Sequence, residues 1–271
     1  MQAWVDGRST DSLALNNRGL AYGDGLFETI AVSAGRPSLL DHHLDRLALG
    51  CKRLVIEVDL DLIRDELCRY AAIMGEGVLK LILTRGDSQR GYAAAAGAAP
   101  RRILQGSPAP VYPVEHAEQG IRLFECQTRL AEQPLLAGLK HLNRLEQVLA
   151  RGEWQGGEYA EGLMRDVSGR VIEGVYSNLF LVRNGQLLTA DLSRCGVAGV
   201  MRSALLEAAA REGISVRVTD LDLSDLEQAD ELFLCNSVYG VWPVCSFASL
   251  NWSPGPLTRK LQAIARTLLD A

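Results

Sequence analysis

The chain has 271 residues, 48% of them hydrophobic, with a formal net charge of −5. That length supports one large domain or two modest ones, each with its own core, and the composition excludes a disordered chain. The acidic balance argues against a broad nucleic-acid footprint or an anionic membrane surface as partner, although a local positive pocket remains compatible with it.

No apolar run approaches 18 residues, and "MQAWVDGRST" lacks a basic n-region and an apolar h-region. The sequence therefore predicts a cytosolic protein with no membrane partner. The six cysteines are Cys51, Cys68, Cys126, Cys195, Cys235 and Cys245. They form no CxxC, and no histidine lies at zinc-finger spacing from a pair, so they read as small buried residues and no metal is expected.

In chain order, "LFETIAVSAGRPSLL" reads as a strand, a glycine turn and a second strand. "LLDHHLDRLALGCKRLVI" has helical spacing of Leu40, Leu44, Leu47 and Leu54, with Asp41 as its expected N-cap. "DLIRDELCRYAAIMG" reads as a helix closed by Gly75, and "GVLKLILTRG" as a strand. The composition then shifts to Ala, Gly and Pro in "GYAAAAGAAPRRILQGSPAPVYP". Its start reads as a mobile loop, Arg102 to Gln105 as a short strand, and "GSPAPVYP" as a linker, the alternative being a long surface loop within one domain. The expected domains are a smaller α+β domain over 1–106, a linker over 107–114 and a larger domain over 115–271.

The second part opens on the alternating strand "IRLFECQTRL". "LAGLKHLNRLEQVLARGEW" follows, with Leu139, Leu142, Leu145, Val148 and Leu149 near helical spacing, so that Lys140 stands at the mouth of an expected amphipathic helix. Turns are expected at Ser168–Gly169 and Asn184–Gly185. A Gly-rich turn leads into a helix in "GVAGVMRSALLEAAAREG", and a strand in "ELFLCNSVYGVWPV" and a terminal helix complete the chain. Strands and helices mix without a regular βαβ rhythm, which favours an α+β fold over a doubly wound sheet.

A lysine at a helix start opposes the helix dipole by roughly 0.3–1 kcal/mol. It reads either as a snorkelling side chain over apolar surface or as an amine whose charge is disfavoured and which can form a Schiff base. The second reading calls for three more groups if the partner is pyridoxal 5′-phosphate (PLP). Its phosphate needs donors, which the turn at Gly199 with the amides of Val200 and Met201 would supply, and Arg46 would add a guanidinium. Its ring nitrogen needs a carboxylate, for which Glu173 is the candidate, with Ser177 and Asn178 close behind to orient it or to bind the cofactor. Arg90 and Tyr92 in "SQRGYAAAAG", with Tyr22 and Asp24 more weakly, are candidates to meet anionic substrate groups. The histidines His42, His43, His116 and His141 show no ligand spacing beyond one adjacent pair, which disfavours a metal hydrolase.

Seven stretches in order along the chain, "LAYGDGLFET", "DHHLDRL", "ILTRGDSQRGY", "GLKHLNRLEQVLAR", "VIEGVYSNLF", "CGVAGVMR" and "ADELFLCNSVYGVWPVC", resemble the fold-type IV PLP enzymes. That group holds the branched-chain and D-amino acid aminotransferases and aminodeoxychorismate lyase, and "GLKHLNRLEQV", "RGY" and "VWPVC" resemble its lyase branch more closely. The resemblance implies a two-domain α+β fold with the cofactor between the domains, Lys140 as the Schiff-base lysine and Glu173 as partner of the pyridine nitrogen. It likewise implies Arg46, Gly199, Val200 and Met201 at the phosphate, Asn236 and Ser237 near the phosphate or substrate, and a homodimer. The implied reaction converts 4-amino-4-deoxychorismate to 4-aminobenzoate and pyruvate, a step of folate biosynthesis. The alternative is an aminotransferase of the same fold acting on D-amino or branched-chain amino acids. Some of those aminotransferases carry a Tyr five residues after the lysine, where this chain has Leu145. A non-catalytic descendant of the fold would be expected to have lost the lysine or the glutamate, and both are present.

Overall fold

The computed structural model describes residues 3–10, 12–94 and 97–270. The chain divides into two compact units. The first takes in residues up to Pro110 together with Leu139–Asn143, and the second holds Val111–Gly138 and Arg144–Leu269.

Unit 1 is a six-stranded sheet carrying helices. Its strands are β1 (Trp4–Val5), β2 (Arg8–Ser9), β3 (Gly25–Ser33), β4 (Arg36–Pro37), β5 (Gly77–Thr84) and β6 (Arg101–Ser107), in the order β2-β1-β6-β5-β3-β4. Its helices are α1 (Arg18–Tyr22), α2 (Leu40–Leu54) and α3 (Leu60–Met74). Period-2 alternation drives β3: Leu26, Ile30 and Val32 turn inward onto Leu44 and Leu47 of α2, as do Leu79, Leu81 and Leu83 of β5. Glu28 sits on that same inward row and is buried. The start of α2 differs from expectation, since Leu39 in the left-handed region precedes it and no side chain caps it; Asp41 lies in its first turn and serves the dipole from there. Asp59 caps α3 by accepting from the Leu62 N–H, and Gly75 ends it.

Unit 2 contains α4 (Val114–Glu118), β7 (Ile121–Leu130), α5 (Leu145–Arg151), β8 (Glu161–Asp166), β9 (Val171–Gly174), β10 (Asn178–Arg183) and β11 (Gln186–Ala190). It continues through α6 (Val200–Arg211), β12 (Val216–Thr219), α7 (Leu223–Glu227), β13 (Glu231–Asn236), β14 (Gly240–Phe247), β15 (Leu250–Asn251) and α8 (Pro256–Asp270). The strands run β12-β11-β10-β13-β14-β7-β8-β9, and β9 also pairs with β10 through Asn178 and Glu173, which closes six of them into a ring. Apolar side chains such as Leu163, Ile172, Leu179, Leu181, Leu234 and Trp242 fill the core. Strands β8 to β10 are buried almost throughout, with the carboxyl groups of Glu161, Asp166 and Glu173 among the buried side chains.

Two expectations around Lys140 are corrected. The helix expected over most of 136–154 is confined to α5, Leu145–Arg151. Lys140 instead lies on an extended segment against β3: the Phe27 N–H donates to the Lys140 carbonyl at 2.9 Å, and the Leu142 N–H donates to the Gly25 carbonyl at 3.0 Å. Those backbone groups bond β3 and cannot also close helical turns. The same bonds place Lys140 in unit 1, where the sequence reading had put it in the C-terminal domain. The helical spacing of Leu145, Val148 and Leu149 marks an exposed row and not a core face. Among the described residues no helix is long and apolar enough to cross a membrane.

Candidate active site

In unit 1 the ammonium of Lys140 projects over the Phe27 ring, 4.4 Å from its centroid, and Lys80 reaches the same ring at 5.3 Å. Two cations thus share one aromatic side chain. Cross-strand register explains the second, since Lys80 of β5 pairs with Thr29 two residues beyond Phe27.

Arg46 on α2 is nearly buried and fixed. Its Nε donates to Glu28 Oε1 at 2.8 Å, and its NH2 group donates to Glu28 Oε2. The second oxygen also meets His43 Nδ1 at 2.6 Å. Burial alone would raise the Glu28 carboxyl, but the Arg46 charge and His43 overcome it and hold it at about 2. His43 goes the other way: burial lowers it, and the charges of Arg46 and Lys140 lower it further against Glu28. A neutral His43 donating from Nδ1 to an ionised Glu28 satisfies both directions, and Arg46 is then held as one member of a buried, oriented group.

The loop after β5 carries Arg90 and Tyr92, both exposed. The sequence reading made its start mobile, yet buried Arg18 grips it. Arg18 donates to the carbonyls of Gly91 at 3.0 Å and Tyr92 at 2.7 Å and to Ser88 Oγ at 3.1 Å, while its Nε is paired to Asp24 at 2.7 Å. The Tyr22 hydroxyl accepts from the Gly91 N–H at 3.2 Å, and its ring lies 5.5 Å from that of Tyr92. Asp24 also receives Arg85 at 2.8 Å, and the two guanidinium groups outweigh burial to lower its carboxyl. Ala95 and Ala96 of this loop lie outside the described residues.

In unit 2, Glu173 is the penultimate residue of the buried strand β9 and is 3% exposed. Its Oε2 accepts the Val197 N–H at 2.8 Å and the Asn178 side-chain amide at 3.5 Å. That amide also donates to the Val197 carbonyl at 2.8 Å. Glu173, Asn178 and the turn before α6 are therefore one hydrogen-bonded group. Gly199 is the N-cap of α6, and a Cβ there would overlap Asn178 Oδ1. No side chain caps α6, and no acid lies in its first turn, so the amides at Val200 and Met201 present an uncompensated positive end. Arg202 anchors the helix to β11 through Thr189 at 3.1 Å and the Ala190 carbonyl at 2.9 Å.

Ser177 is differently placed from its neighbours: its hydroxyl donates to Glu161 Oε2 at 2.8 Å. Asn236 uses its side-chain oxygen on the amides of Val238 and Tyr239, both at 2.9 Å, so that oxygen serves the β13–β14 turn and not an anion. Ser237 lies half-buried in the same turn. The sequence reading missed Glu28, His43, Arg18 and Glu161. A signal existed for Glu28, an acid in phase with Leu26, Ile30 and Val32. None existed for Arg18 or Glu161, whose roles depend on which distant backbone groups fold against them. The thiols of Cys126, Cys195 and Cys235 are each pushed up to about 12 by burial, which leaves them inert. Among the described residues no cluster suits a metal.

Within unit 2 the Gly138 N–H donates to the Gly196 carbonyl at 2.9 Å and its carbonyl accepts from the Ala198 N–H at 3.0 Å, which holds the turn that opens α6.

Comparison with known proteins shows the family. The chain is 37% identical to an aminodeoxychorismate lyase of Vibrio harveyi over 270 residues, covering 97% of this chain and 99% of that one. It is 30% identical to a putative branched-chain-amino-acid aminotransferase of Methanocaldococcus jannaschii, with 97% and 94% covered. Among solved structures, 4-amino-4-deoxychorismate lyase from Pseudomonas aeruginosa superimposes with a TM-score of 0.97 at 59% identity, covering 99% of this chain and all of the other. The branched-chain amino acid aminotransferase of Escherichia coli gives 0.84 at 25% identity, over 99% and 94% of the two chains. Residues 25–247 match the family described as Amino-transferase class IV, and to that family this chain belongs.

Proposed function

We propose that this protein is a PLP-dependent lyase that converts 4-amino-4-deoxychorismate to 4-aminobenzoate and pyruvate. The observation that carries the reading is the lyase-like sequence over the full chain, at 59% identity to the Pseudomonas aeruginosa enzyme, together with an intact PLP donor set. An amine, a buried carboxylate, an uncapped helix N-terminus and an oriented guanidinium are all present at Lys140, Glu173, α6 and Arg46. These fit an aldehyde, a pyridine nitrogen and a phosphate dianion respectively.

Bound PLP supplies an electron sink for charge developing at the substrate carbon that bears the amine. Glu173, held by the Val197 N–H and Asn178, keeps the ring nitrogen protonated. The amides of Val200 and Met201 would hold the phosphate, and Arg46, kept from turning away by Glu28 and His43, would offer a guanidinium to it. Lys140 would hold the cofactor through its amine, and the same amine, when free, would take the proton from C4 of the substrate. Departure of the C3 enolpyruvyl group as pyruvate then leaves an aromatic ring. A positioned base contributes on the order of 10²–10⁴ in rate. Lys80, over the same Phe27 ring, offers a cation to a substrate carboxylate, as do Arg90 and Tyr92 on the Arg18-held loop and Tyr22, which binds that loop from α1.

The exposed row Leu145, Val148 and Leu149 of α5 supports association of two copies, which sedimentation would test. The activity is tested by incubating holoenzyme with aminodeoxychorismate and no keto acid. Equal amounts of 4-aminobenzoate and pyruvate are expected; turnover that requires a keto acid would favour the aminotransferase reading.

A further inference from the structure

The turn that joins Glu173 to Asn178 is built around a carboxyl group that the proposed chemistry does not use. Glu161, the first residue of β8, is 0% exposed. Its Oε1 accepts the N–H groups of Gly162 and Val175, both at 3.0 Å. Its Oε2 accepts the Tyr176 N–H at 3.3 Å and the Ser177 hydroxyl at 2.8 Å. Three of these four donors belong to the turn of residues 174–177. Gly174 is needed there, because a Cβ would overlap Ser177 Oγ and press on the Glu161 carboxyl at 3.1 Å. No cation lies within ion-pair distance of Glu161 among the described residues. The buried hydroxyl of Tyr239 lies near Ser177.

The turn does more than reverse the chain. It brings Asn178 of β10 opposite Glu173 of β9, the one pairing that closes the ring of strands. It also aims the Asn178 amide at Glu173 and at the Val197 carbonyl. A solvent-exposed turn would need only its own backbone bond, here the Gly174 N–H to the Ser177 carbonyl at 2.8 Å. A buried acid spending three of its four acceptor positions on it is costly unless the turn must be held in one place.

We propose that Glu161 is a positioning residue for Glu173: by clamping the 174–177 turn it fixes Glu173 and Asn178 where the cofactor's ring nitrogen is met. Glu161 is fully buried and acts through the turn. The inference rests on the PLP reading and adds a residue to it. Misplacing Glu173 weakens an interaction that matters as charge develops, so the effect falls on kcat and not on KM.

The test uses holoenzyme of the parent, Glu161→Gln and Ser177→Ala. The glutamine keeps the size and two acceptor positions but turns an NH2 toward the Tyr176 amide. For Glu161→Gln the expected result is a kcat lower by roughly tenfold to a hundredfold, the range seen when a partner that orients a functional group is lost. KM should stay within about twofold of the parent, and the visible band of the bound cofactor should shift, since the ring nitrogen now meets a displaced carboxylate. Ser177→Ala, which removes one donor of four, should show the same shift in weaker form. A parental band and kcat in Glu161→Gln would overturn the proposal. If that variant yields no folded holoenzyme, a parental band and kcat in Ser177→Ala overturns it instead. A parent that binds no PLP and forms no 4-aminobenzoate would sink the functional reading itself, a different and recognisable outcome.

Discussion

The Val197 N–H donates to Glu173 Oε2 at 2.8 Å, which ties the candidate pyridine partner to the turn that opens α6. Replacing Glu173 with Gln keeps an acceptor for Val197 but removes the charge that holds a proton on the ring nitrogen. Glu173→Gln should retain PLP and lose kcat by at least about a hundredfold, near 2.7 kcal/mol of transition-state stabilisation at 1.36 kcal/mol per factor of ten. Steady-state kinetics checks this, and an unchanged kcat would count against the electron-sink role.

Gly199 has an ordinary backbone conformation, so its requirement is one of space. A methyl group there meets Asn178 Oδ1, whose amide is already committed to Val197 and Glu173. Gly199→Ala should weaken PLP binding by about 1–3 kcal/mol, the usual cost of overpacking, or about 5-fold to 150-fold in Kd. Titration of the apoprotein with PLP measures it. Parental affinity would show that the α6 entrance tolerates the displacement.

Glu28 provides a stability test with a defined pH window. Its ordinary value is 4.5 and the folded protein holds it at about 2, so the unfolded chain binds more protons between those limits. Its contribution is full above about 4.5 and is lost as pH falls through about 2. Breaking a buried pair costs roughly 3–5 kcal/mol, so Glu28→Gln should melt well below the parent at neutral pH. The gap between their melting temperatures should narrow as pH falls below about 4.5. A gap that does not vary with pH would mean the carboxylate charge is not what matters.

Glu161 has the opposite sign. Burial outweighs its four donors and pushes it up to about 8 from an ordinary 4.5. Between those values the folded protein binds the extra proton, so the group's contribution is full below about 4.5 and is lost as pH rises through about 8. Relative to Glu161→Gln, the parent should therefore lose stability as pH climbs over that range. Equal pH dependence of the two melting curves would indicate a carboxyl ionised throughout.

Much of this was legible beforehand because it is carried by local pattern. Strand β3 and helix α2 follow from the alternation of Leu26, Ile30 and Val32 and the spacing of Leu44 and Leu47. The uncapped start of α6 follows from "GVAGVMR". The error around Lys140 has the same origin: Leu139, Leu142, Leu145, Val148 and Leu149 satisfy a helical period, but the Phe27 and Leu142 amides commit residues 140–142 to β3 instead. Long-range pairing overrode periodicity, and nothing within the segment signals it. Arg18 and Glu161 were illegible for a related reason. Each acts on backbone groups of a distant turn, and backbone groups leave no mark on composition.

The four lysines of the chain are Lys52, Lys80, Lys140 and Lys260, so the attachment site can be read without ambiguity. Holoenzyme reduced with borohydride and digested should yield a single pyridoxyl-modified peptide, spanning Lys140, and Lys140→Ala should lose both that label and 4-aminobenzoate formation. Label on Lys80, lying over the same Phe27 ring, or unlabelled protein that still turns over, would contradict the assignment on which the mechanism stands.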